Sequence, residues 1–205
     1  MKAAICVAFL ALILVPLAQA QAKALSPEGQ RLTEALARLQ MHPDDLAAQR
    51  AYLQAFPHDY AAFLRLFDLG QELYDGHEFI LVLHTLAEHQ EKGAGQLLLG
   101  LCKDARWDAD APNYLQHEAV AYGAVHTQMF ATLLRRLTKT QRTNAIVFLA
   151  HAENFEGYPE FQEIIERLKG LGQNALAQEF EQAKALREKR QSRIGWVIRT
   201  EDYHS

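Results

Sequence analysis

From Ser26 onward, large apolar residues recur at helical spacing in short stretches, and glycine or proline ends each stretch. This punctuation constrains the fold most. It allows only short helices, which do not stand alone in water and must pack on one another. Ser26-Pro27 reads as an N-cap followed by proline at the first helical position, with Leu32, Leu36 and Leu39 on one face of a helix over 26–40. His42-Pro43-Asp44-Asp45 restarts the chain, and Leu46, Leu53 and Phe56 point a second helix inward. Pro57 opens a third, faced by Tyr60, Phe63, Leu64 and Phe67. Asp75 and Glu78 form the D-x-x-E pattern of a capping box before a helix over 76–90.

Gly93 and Gly95 separate that helix from an apolar one over 96–103. Pro112 fits only a first turn, which makes Ala109 or Asp110 the cap of the next helix. Gly123 is where that helix bends before Met129, Leu133, Leu134 and Leu137. Thr140 is read as the cap of a helix with Ile146, Phe148 and Leu149, and Tyr158-Pro159 opens the next. Gly170 and Gly172 precede a last helix over 174–191, and the tail 192–205 is polar except for Ile194, Trp196, Val197 and Ile198. No stretch shows period-two alternation between hairpin turns. The expectation is an all-α single domain of about eight or nine short helices, either an orthogonal bundle or a short α-solenoid.

The beginning of the chain reads differently. Met1-Lys2 is positive, residues 3–16 are almost wholly apolar, and Ala18-Gln19-Ala20 has the small-x-small form that a signal peptidase recognises. The expected organisation is a signal peptide over 1–20, a helical domain over 21–191 and a tail over 192–205. The rival reading is a retained anchor. The run is short for a span of about 20 residues, and Pro16 and the Ala-x-Ala site suit cleavage. The expected location is periplasmic or secreted, with no stable membrane anchor after cleavage. Cys6 lies within the apolar run, so Cys102 alone survives cleavage. Its setting, Leu97-Leu98-Leu99-Gly100-Leu101-Cys102, suits a buried inert thiol. The formal net charge of −4 offers no nucleic-acid footprint.

Two constellations could carry chemistry. His77, His84 and Glu88 fall on one helical stripe away from Phe79, Ile80 and Leu83. Two histidines and a carboxylate suit zinc in principle, but two turns separate the histidines, roughly 10 Å of rise. The stripe is therefore expected to be a solvated polar face, and no metal or cofactor is expected. In the second, Trp107-Asp108-Ala109-Asp110 leads into a helix with Asp110, Asn113 and His117 on one face. Structurally, Asp108 and Asp110 cap that helix and Trp107 staples it. Functionally, the same turn presents a polar and aromatic surface, or an acid pair for glycoside cleavage. There is no G-x-S-x-G element and no Gly-rich phosphate loop. The basic residues over 184–193 are balanced by Glu179, Glu181 and Glu188 and read as a solvated face.

Two segments carry a resemblance. They are Phe56-Pro57-His58-Asp59-Tyr60-x-x-Phe63 with Leu73-Tyr74-Asp75-Gly76-His77-Glu78-Phe79-Ile80, and Trp107-Asp108-Ala109-Asp110-Ala111-Pro112-Asn113-Tyr114-Leu115-Gln116. Together they resemble a bacterial family of small helical proteins associated with polymorphic toxin and contact-dependent secretion loci, over about 52–155. The resemblance brings no catalytic residues. It implies an immunity protein that binds a secreted effector toxin and inhibits it by occlusion. Tyr74, Asp75, Trp107, Asp108 and Asn113 are then the expected contact residues, since aromatic side chains often dominate interface energy. Two alternatives stand beside it. One is an envelope scaffold or assembly factor with a helical peptide-binding groove. The other is a hydrolase, acting on the cell wall through Asp108 or Asp110 or through a metal at His77 and His84.

Overall fold

The computed structural model describes residues 24–89, 92–106, 110–151 and 159–201, with side chains in the last helix as far as Lys189. Ten helices and no strand occur among the described residues. They are α1 (Pro27–Met41), α2 (Leu46–Ala55), α3 (Tyr60–Phe67), α4 (His77–Glu88), α5 (Lys92–Cys102), α6 (Ala111–Val125), α7 (Thr127–Arg136), α8 (Lys139–Leu149), α9 (Pro159–Gly170) and α10 (Asn174–Glu201). The chain is an all-α single domain.

Local signals explain most of the starts. Ser26 caps α1 by accepting the Gly29 N–H at 3.0 Å, with Pro27 next in line. Asp45 caps α2 and Asp59 caps α3 through bonds of 2.8 Å to Ala47 N and Ala62 N. Four boundaries differ from the sequence expectation. The cap of α8 is Thr138, not Thr140; Thr138 and Gln141 form a reciprocal capping box. The long helix expected beyond Pro112 divides at His126 into α6 and α7, which raises the count. Gly123 stays helical and serves close packing, since a Cβ there would sit 2.9 Å from Ile164 Cδ1 and 3.0 Å from the Phe130 ring. Gly95 lies inside α5, where a Cβ would meet the Tyr122 hydroxyl, so the glycine permits close packing of α5 on α6 and separates nothing. Finally, α10 continues to Glu201, so residue 191 is not a helix end.

The core follows the aromatic and leucine faces. Tyr52, Phe56, Phe63 and Phe67 are almost completely buried, and Phe63 meets Phe67 edge-on at 5.1 Å. Each such side chain stabilises the fold by about 1.5–3 kcal/mol. Leu46, expected to point inward, is 54% exposed, and Ala48 and Tyr52 carry the buried face of α2. The Tyr52 hydroxyl donates to the Phe79 carbonyl at 2.6 Å and ties α2 to α4.

Helix α6 organises the rest. It packs against α4, α5, α7, α8 and α9. A solenoid limits each repeat to its neighbours, so this pattern is that of a bundle. Small residues at Ala111, Ala119, Gly123 and Ala124 let partners approach α6 from several sides. Buried Gln116 donates to the Phe148 carbonyl and links α6 to α8.

Candidate functional site

The turn before α4 meets the start of α6 at an exposed rim. Leu73 N–H donates to Leu66 O at 3.0 Å, and Asp75 N–H to Phe67 O at 3.2 Å. These bonds fold the turn back on α3 and present Tyr74, which is 47% exposed. The Tyr74 hydroxyl donates to Asp110 Oδ2 at 2.7 Å. That bond, followed by partial desolvation and the charges of Asp110 and Asp75, raises the phenol above its ordinary value. The phenol is therefore a fixed donor at neutral pH.

Asp75 and Asp110 are the two non-glycine residues with left-handed φ among the described residues, at 81° and 60°. Such conformations cost on the order of 1–3 kcal/mol and persist only where surrounding structure imposes them. They also explain why the expected caps do not form. Asp75 turns away from α4, whose N-cap is Gly76 with no side-chain bond, and Asp75 Oδ1 is buried without a hydrogen-bond partner among the described residues. Glu78 accepts instead from Gln40 Nε2 at 2.7 Å. Asp110 holds the N-cap position of α6, but its carboxylate takes Tyr74 in place of a backbone N–H.

Asn113 stands half-buried in the first turn of α6, beside Tyr114, on which the His77 ring stacks at 4.3 Å. Tyr60 donates to the Arg106 carbonyl at 2.8 Å and anchors the chain just before residue 107. Of the expected contact residues, Tyr74 and Asp75 are thus brought to the rim of α6. Trp107 and Asp108 lie outside the described residues, as does Ala109.

In the histidine stripe of α4, His77 and Glu88 are exposed, as a solvated face requires, but His84 is not. His84 is 8% exposed and turned toward α6. Its Nδ1 lies 2.6 Å from Glu118 Oε2, and its Nε2 lies 3.2 Å from Glu88 Oε1. Burial lowers the imidazole pKa, but the hydrogen bonds and charges of Glu118 and Glu88 outweigh it and raise His84 above its usual value. The two carboxylates sit on different ring nitrogens and do not converge on one point. His77 is occupied separately with Tyr114, and no group of three His, Cys, Asp or Glu could hold a metal among the described residues. Burial holds His117 below the usual histidine value. Cys102 is fully buried, its thiol donates to Leu98 O at 3.3 Å, and burial pushes its pKa far up.

A second surface was not foreseen. Between α5 and α7, two cavities of about 510 Å³ and 570 Å³ share Gln96, Leu133 and Arg136 and together form a groove. Its helical residues come from α2, α4, α5, α6 and α7, which no sequence window brings together. Met129, grouped in sequence with Leu133, Leu134 and Leu137, is 43% exposed there.

The chain matches no family model, no curated protein and no solved structure, so the resemblance to toxin-associated helical proteins rests on the residues quoted for it.

Proposed function

We propose that this chain is a binding protein of the cell envelope that inhibits a secreted antibacterial toxin by covering its active site, with the Tyr74–Asp110 rim as the contact surface. The observation that carries the reading is the fixed Tyr74 hydroxyl, held at 2.7 Å by an aspartate in a strained conformation. An exposed aromatic already locked in one geometry loses little freedom on binding, and such anchors dominate interface energy. Asp75 and Asp110 make the rim acidic, which suits a basic patch on the partner. The signal-like residues 1–20 support the envelope location, and the resemblance supports the toxin as partner.

The scaffold reading gains support from the α5–α7 groove and remains the second reading. The hydrolase reading gains none: Asp110 is engaged by Tyr74, and His84 by two glutamates. The test is a pull-down against envelope extracts and the product of any adjacent gene, read by mass spectrometry. The expected result is a stoichiometric partner whose lytic or hydrolytic activity falls silent in the complex and returns with Tyr74→Ala. A structural envelope subunit as the partner would replace the inhibitor reading with the scaffold.

A further inference from the structure

The α5–α7 groove has a chemistry opposite to that of the chain as a whole. The sequence carries 25 acidic and 21 basic side chains, yet no acidic residue lines either cavity among the described residues. Lys103 and His58 stand at one end, and Arg136 stands where the two cavities meet. Arg136 makes no ion pair among the described residues. Its neighbour Arg135 is tied to Gln173 Oε1 at 2.8 Å, which leaves Arg136 as the free cation of the pair. Lys103 has only a loose approach to Asp104, at 3.9 Å.

The rest of the groove is open and mixes apolar side chains with polar ones such as Gln54, Gln96, His126, Gln128 and Thr132. Val125 is 57% exposed and Met129 43% exposed along it, with Leu133 beneath. Large apolar side chains facing solvent beside an unpaired guanidinium match an amphipathic ligand of opposite charge. Helix α7 has 10 residues, a length of roughly 15 Å, enough to support about ten residues of a docked helix.

We infer that the groove docks an acidic amphipathic segment of a partner protein. Its apolar stripe lies on Val125, Met129 and Leu133, and its carboxylates face Arg136 and Lys103. The proposal goes beyond the Tyr74–Asp110 rim, with which the groove shares no residue.

The test is selection of a displayed random library of twelve-residue peptides on the full chain. Synthetic labelled versions of the enriched peptides are then measured by fluorescence anisotropy. The expected peptides pair large apolar residues with at least two acidic ones. Their affinity falls at least about tenfold with Arg136→Glu and with Met129→Asp, weakens as salt rises, and does not change with Tyr74→Ala. Both groove positions are exposed, so thermal melts matching the parent chain separate lost binding from lost folding. No enrichment, neutral or basic winners, or affinity indifferent to both groove substitutions would overturn the proposal. Loss with Tyr74→Ala alone would move the peptide to the rim. A dimer of the free chain that Arg136→Glu dissociates would assign the groove to a second copy and overturn it equally.

Discussion

Tyr74 and Asp110 are 36 residues apart in sequence and joined by a 2.7 Å hydrogen bond that closes the turn before α4 onto the start of α6. The bond takes the Asp110 carboxylate away from helix capping and leaves the aromatic ring at the surface. Replacing Asp110 by Asn removes the charge and keeps the size of the side chain. In an ultraviolet pH titration, one tyrosine should then ionise closer to its ordinary value. The raised values of buried Tyr52 and Tyr122 come first from burial and should stay in place. An unchanged titration curve would show that Asp110 does not hold Tyr74 in solution.

The His84 contacts make stability depend on pH. Its folded pKa is raised above 6.5, so its contribution is complete below pH 6.5 and drains away as pH rises through the folded value. His117 is shifted the other way and works against stability as pH falls below 6.5. Glu118→Gln should therefore cost about 1–2 kcal/mol at pH 6 and less at pH 8. NMR titration should find His84 above its usual value in the parent chain and lower in the variant. An equal loss at both pH values would contradict the charged pair.

Two glycines of α5 should respond oppositely to alanine. At Gly95 the added Cβ meets Tyr122, which is nearly buried, so Gly95→Ala should destabilise by about 1–3 kcal/mol. At Gly100 nothing lies within 4 Å, so Gly100→Ala should stabilise by about 0.5–1 kcal/mol. Chemical denaturation measures both. Equal effects would mean that α5 and α6 do not approach as described.

The start of α8 is tested by two threonines. Thr138→Ala removes the hydroxyl that accepts the Gln141 N–H, leaves the backbone half of the capping box, and should cost about 1 kcal/mol, whereas Thr140→Ala, inside the helix, should change little. The reverse order in thermal melts would restore the cap to Thr140.

The helices were legible wherever the signal was local. Ser26-Pro27 at α1, the Phe63–Phe67 face of α3 and Pro159 at α9 are where the periodicity placed them. The failures have physical causes. Neither glycine nor proline marks the break at His126. Gly95 looks like a breaker in sequence but serves close packing. Asp75 and Glu78 have capping-box spacing, yet left-handed φ at Asp75 and Gly76 turns the carboxylate elsewhere. A helical wheel places His84 off the apolar centre of α4, but α6 packs on that side and buries it. The exposure of Tyr74 agrees with the sequence reading, whereas its bond to Asp110 depends on tertiary approach.

We propose that the rim, and Tyr74 above all, binds the partner. Calorimetric titration of the captured partner into the parent chain, Tyr74→Ala and Arg136→Glu tests it most directly. The expected result is at least about a tenfold loss of affinity with Tyr74→Ala and none with Arg136→Glu. Full affinity in the folded Tyr74→Ala protein would contradict it.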